Sequence, residues 1–162
     1  MISKFKENPR LNYFLLYSFT LIFYGAIIAS PGPIIPFLSA KHSIPETSFT
    51  FFFSCRSIGF IVGAVFIKII SGRISSHTVI SISVVLAGFP FILFPYTDSL
   101  NLQGGYIFFS SLFCSCFEIL VNMCVVQSHR GNNEDFWLQL GHGLFGVGGL
   151  MGPIFIGYLK GV

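Results

Sequence analysis

Five apolar stretches, each near or above the roughly 20 residues needed to cross the hydrocarbon of a bilayer, leave this chain little choice of solvent. They cover about residues 11–38, 49–70, 79–96, 105–126 and 136–159. Polar punctuation at 41–47, 72–77, 97–103 and 128–135 separates them. Charged residues make up only 9% of the 162 and apolar residues 53%, against about 25% charged in soluble domains. So few charges cannot cover a core that large in water, and the lipid bilayer must be the solvent for most of the chain. Inside hydrocarbon every backbone polar group has to be paired, so only helices and closed barrels span. A barrel would show short alternating segments, and none are present. The expected fold is all-α: a polytopic bundle of five transmembrane helices over 11–162, after a short tail at 1–10. The first stretch is too long for a cleavable signal and has no small-residue cleavage site, so it is read as a retained helix. The short connections make consecutive helices antiparallel neighbours.

Lys and Arg in the connections set the expected orientation. Lys4, Lys6, Arg10, Arg73 and Arg130, with Lys68 close by, fall on one side; Lys41 and Lys160 fall on the other. The positive-inside rule then places the N-terminal tail in the cytoplasm, and an odd number of spans places the C-terminus outside. The reading is a multi-pass integral protein of the plasma membrane or an endomembrane.

Several function classes drop out. The net charge of +3 comes without a basic stripe, so no nucleic-acid partner is expected. Cys55, Cys114, Cys116 and Cys124 all lie in apolar spans without metal-ligand spacing and read as small buried apolar residues. No residue set resembles a hydrolytic triad, metal site or phosphate loop, and the glycines of span 5 follow no strand. No enzymatic activity and no cofactor are expected.

Local signals shape the bundle. Pro31, Gly32, Pro33 and Pro36 sit in the outer half of span 1. Prolines remove backbone donors and bend helices, so this half is kinked or partly unwound, or else the helix ends at Pro31 and a loop begins. Gly59 with Gly63, and Gly148 with Gly152, form small-xxx-small pairs. Such pairs let helix backbones approach closely, although scattered glycine is also ordinary in membrane helices.

Five polar side chains inside the spans are the candidate substrate- or ion-binding residues: Arg56, Glu118, Asn122, Gln139 and His142. A membrane carboxylate is expensive and is usually kept where it handles an ion, a proton or a substrate. At a rise of about 1.5 Å per residue, Glu118 lies about 21 Å below the outer surface and His142 about 9 Å from the inner one. In a core of about 30 Å they are level on adjacent spans. Asn122 shares a face with Glu118, and Gln139 is level with Asn122. These four are expected to form a polar seam between spans 4 and 5, with His142 in direct work on substrate or in one interhelical hydrogen bond. Arg56 is about 13 Å deep by the same count. It either snorkels outward or faces a wet cavity, where it could pair with Glu118 or bind substrate.

Four segments resemble one known family. Gly32-Pro33 with Pro36, Arg56-Ser57-Ile58-Gly59 followed by Gly63 and Arg73, Glu118 with Asn122, and His142-Gly143-Leu144-Phe145-Gly146 with Gly148 and Pro153 resemble the N-terminal half of a major facilitator superfamily transporter. The resemblance is to the fucose permease and sodium-dependent glucose transporter branch. It implies alternating access by two rocking six-helix halves around a central site, with a sugar or similar polyol as substrate. It also implies coupling to H⁺ or Na⁺, with Glu118 as coupling carboxylate and Asn122 and His142 as cavity contacts. Gly72 departs from the family, which carries an acidic residue in that loop. Phe37 also departs, since some relatives place an acidic group there. Against that family, these 162 residues are expected to be a front portion that works with a C-terminal half or a homologous subunit and does not transport alone. The alternative expectation is a truncated, non-transporting membrane protein that associates with a full-length relative.

Overall fold

A computed structural model describes residues 9–93, 96–131 and 133–159, with side chains from Tyr13 onward. The expected tail at 1–10 falls almost wholly outside them, as do Lys4, Lys6 and Lys160. Among the described residues six α-helices follow one another: α1 Pro9–Ala29, α2 Pro31–His42, α3 Thr50–Ile70, α4 Ser76–Leu93, α5 Leu100–Ser128 and α6 Glu134–Leu159. A 3₁₀ turn, Glu46–Phe49, leads into α3. Among the described residues there is no strand. Five helical stretches are long and apolar enough to cross a membrane: Tyr13–His42, Glu46–Ile70, Ser76–Leu93, Leu100–Ser128 and Glu134–Leu159. They match the five expected spans, with ends shifted by a few residues.

The proline-rich half of the first span is helical from Pro31 to His42, so no loop begins at Pro31. α1 stops at Ser30, whose hydroxyl donates to the Ala26 carbonyl at 2.6 Å. α2 then restarts with Pro31 and Pro33 among its first three residues. The first four amides of a helix have no intrahelical acceptor, and proline has no amide to orphan. Prolines that would damage a helix interior therefore suit a restart. Pro36 lies inside α2 and denies the Gly32 carbonyl its usual donor. The helix ends where Ser43 takes a φ of 54°, closed by Ser39 Oγ donating to the Ile44 carbonyl at 2.6 Å.

The chain divides into two compact units, Met1–Leu38 with Met123–Val162, and Ser39–Asn122. In the first, α1 and α6 pack backbone against backbone. A methyl group built on Gly148 would overlap the Ile22 carbonyl and stand 2.9 Å from Ile22 Cα. One on Gly152 would stand 2.9 Å from Ala26 Cα, and one on Gly25 would overlap the Phe145 carbonyl. Contacts advance together along both helices, from Phe14 on Trp137 through Leu21 on Gly141 to Ala26 on Gly152. The two helices therefore run parallel, as spans an even number of crossings apart must. His129 closes the α5–α6 turn. It is buried, its Nδ1 lies 3.1 Å from the Val125 carbonyl, and its ring stacks on Trp137 at 4.5 Å.

The second unit repeats the device. Gly59 meets Phe108 and Ser111 of α5, and Gly63 meets Leu112 and Ser115. Cys116 Sγ reaches the Gly63 carbonyl at 3.5 Å. These contacts also advance together, so α3 and α5 are parallel. Ser110 Oγ donates to the Ala87 carbonyl at 2.8 Å, which sets α4 against α5. The tight α3–α4 turn needs a left-handed residue, and Gly72 supplies it at φ +89°. α5 is the most buried span, with 56% of its most apolar window inside the fold against 22% or less for the others.

Adding a methyl group at a backbone contact forces the helices apart, an overpacking cost of about 1–3 kcal/mol. Gly148→Ala should therefore lower the thermal midpoint of the purified protein. Gly157→Ala, whose methyl group would meet nothing within 4 Å, should leave it unchanged or raise it, because alanine is the better helix former. Equal effects of the two substitutions would contradict the contact.

Candidate functional site

The first unit holds Gln139 and His142, both on exposed surface of α6. The face that α6 turns to α1 is made of Gly141, Phe145, Gly148 and Gly152, and His142 lies off that line. The second unit holds Arg56, Glu118 and Asn122, all half-buried. Glu118 and Asn122 are one turn apart on α5 and share a face, as expected from their spacing. Among the described residues no cluster of His, Cys, Asp or Glu could hold a metal ion.

Register within the second unit sets the depth of its charges. Ala87 opposite Ser110 makes the 18 residues of α4 level with about 104–121 of α5. At the helical rise this is about 27 Å, close to the thickness of a hydrocarbon core. Cys55 lies beside Gly104 and Gly59 beside Phe108, so Arg56 is level with the start of that layer, within about 6 Å of its edge. A guanidinium at that depth can reach the headgroups along its aliphatic stem. Glu118 lies about 5 Å from the opposite edge, and Asn122 is at that edge. The Cys114 thiol is within electrostatic reach of both Arg56 and Glu118.

Other polar groups are buried that the sequence reading passed over. Gln103 had counted only as loop punctuation, yet it is almost wholly buried and its amide donates to the Thr97 carbonyl at 2.8 Å. Tyr17 is buried and shares a side-chain hydrogen bond with Cys124. Tyrosine in an apolar run reads as core, so no sequence signal separated it. The serines Ser83, Ser110, Ser111 and Ser115 are all buried, and their small size is what lets α5 approach its neighbours.

At the edge near Arg56, Lys41 Nζ lies 3.0 Å from Asp98 Oδ1. This pair ties the last turn of α2 to the connection between α4 and α5. The hydrogen bond and charge of Lys41 hold the Asp98 carboxyl below its ordinary value of 3.8, with His42 adding a smaller pull the same way. No protein-family model, curated protein or solved structure matches this chain.

A carboxyl with a depressed pKa contributes stability above its unfolded value and loses it as pH falls through the folded value. The Asp98–Lys41 pair should thus persist at neutral pH and open only in acid. A carboxyl-carbon NMR titration should give Asp98 a midpoint below 3.8. Lys41→Gln should move that midpoint upward, and an unchanged midpoint would show that the pair does not form.

Proposed function

We propose that this chain takes part in secondary active or facilitative transport of a small polar solute, a sugar or polyol, by alternating access. One observation carries the reading: a carboxylate and an amide, Glu118 and Asn122, share one face of α5, the most buried of five apolar helices. A charge in that position is retained at a cost, and membrane proteins usually keep one where it handles an ion, a proton or a substrate. The carboxylate accepts hydrogen bonds from solute hydroxyls or takes a coupling H⁺ or Na⁺, and Asn122 offers both a donor and an acceptor one turn away. Glycine-lined helix contacts suit the motion such a carrier needs. Smooth backbone surfaces, as at Gly25, Gly148 and Gly152, can shift without unlocking interdigitated side chains. The resemblance of the Glu118/Asn122 and His142–Pro153 segments to major facilitator carriers points to the same class, and with it to further helices from a C-terminal half or a homologous subunit. His142, Gln139 and Arg56 are secondary candidates for solute contact.

The test is uptake of a panel of radiolabelled monosaccharides and polyols by cells from which the gene is deleted, then restored. Uptake of at least one solute should fall on deletion and return with the wild-type gene. Glu118→Gln should restore about a tenth or less, since hydrogen bonds to a charged group are worth about 1.5–3 kcal/mol. Unchanged uptake of every solute on deletion, or full restoration by Glu118→Gln, would overturn the reading.

A further inference from the structure

We propose that the turn between α3 and α4 binds the headgroup of an anionic phospholipid. The proposal stands apart from the transport reading. Lys68 in the last turn of α3 and Arg73 in the connection are both exposed, and His77 follows in the first turn of α4. The turn is tight: Gly72 is left-handed, and the Arg73 amide donates to the Ile70 carbonyl at 3.0 Å. Three basic residues are thereby gathered at one end of the α3–α4 hairpin.

Within this unit the charge around them is one-sided. The sequence has no acidic residue between Glu46 and Asp98, and both of those belong to the opposite end of the hairpin. The acidic group of this unit nearest in level is Glu118. The Gly59–Phe108 and Gly63–Leu112 contacts put it level with Lys68, and Lys68 with Arg73 outnumber it. Ser75 Oγ caps the Thr78 amide at 3.3 Å, while the amides of Ser76 and His77 open α4 and add the positive end of its dipole. Ile69 and Ile74 beside the cations are 60% and 51% exposed. Apolar side chains that face acyl chains, next to cations at the edge of the layer, match the two halves of a phospholipid. Clustered Lys and Arg at this depth attract anionic headgroups, each at a level that multiplies affinity several-fold.

The test uses the full chain purified in detergent with equimolar phosphatidylglycerol and phosphatidylcholine, and reads retained lipid by native mass spectrometry. The wild type should retain phosphatidylglycerol over phosphatidylcholine by on the order of tenfold. The double variant Lys68→Gln/Arg73→Gln should fall to near parity. The charge-keeping pair Lys68→Arg/Arg73→Lys should hold the preference, and so should Lys41→Gln at the opposite end. Parity in the wild type would overturn the proposal. So would an undiminished preference in the Lys68→Gln/Arg73→Gln variant, or a loss in Lys41→Gln as large as in that variant.

Discussion

Glycine against backbone is the contact on which both units rest. In hydrocarbon, apolar side chains gain little by leaving lipid for one another, so helices associate through close van der Waals approach and the few hydrogen bonds that approach permits. Gly148 and Gly152 against Ile22 and Ala26 provide it in one unit, and Gly59 and Gly63 against Phe108 and Leu112 in the other. Each pair joins parallel helices. Each also brings small polar side chains close enough to bond backbone or lie buried without a cavity, as Cys116 does at the Gly63 carbonyl. The large residues are displaced outward: Leu150 and Ile154 on α6 and Val85 on α4 are about 70% exposed. That would be a fault in water and is appropriate to lipid.

The same contact fixes where the charges stand. Because Gly59 and Gly63 lock α3 to α5 in one register, the backbones of Arg56 and Glu118 fall toward opposite ends of the 104–121 stretch of α5. Each is close enough to an edge to be tolerated and deep enough to be costly. The Lys41–Asp98 pair stands near the Arg56 edge, and Lys68 and Arg73 near the Glu118 edge. The layer is thus bounded at both ends by charges whose stems or neighbours lie in apolar surroundings.

Much of this was legible in the sequence. The five spans and their helical character follow from lengths of apolar run that admit no other solution. The Gly59/Gly63 and Gly148/Gly152 spacings marked the close contacts. They could not name the partners, because a glycine announces room for a backbone without saying whose. Gly25 was passed over although Ala29 stands four residues on, the same small-residue spacing. Pro31 was ambiguous for a chemical reason: the same ring ends one helix and suits the first position of the next. Glu118 and Asn122 sharing a face needed only their spacing.

The register of α5 is the claim on which the depth of Glu118 turns. Single spin labels at each position from 104 to 122 in reconstituted bilayers, read by oxygen and nickel accessibility, measure depth directly. The account predicts greatest depth near residues 112–113 and a label at 118 about 8 Å shallower, toward the edge shared with Lys68 and Arg73. A maximum at 118 itself would contradict the register and place the carboxylate at the bilayer centre.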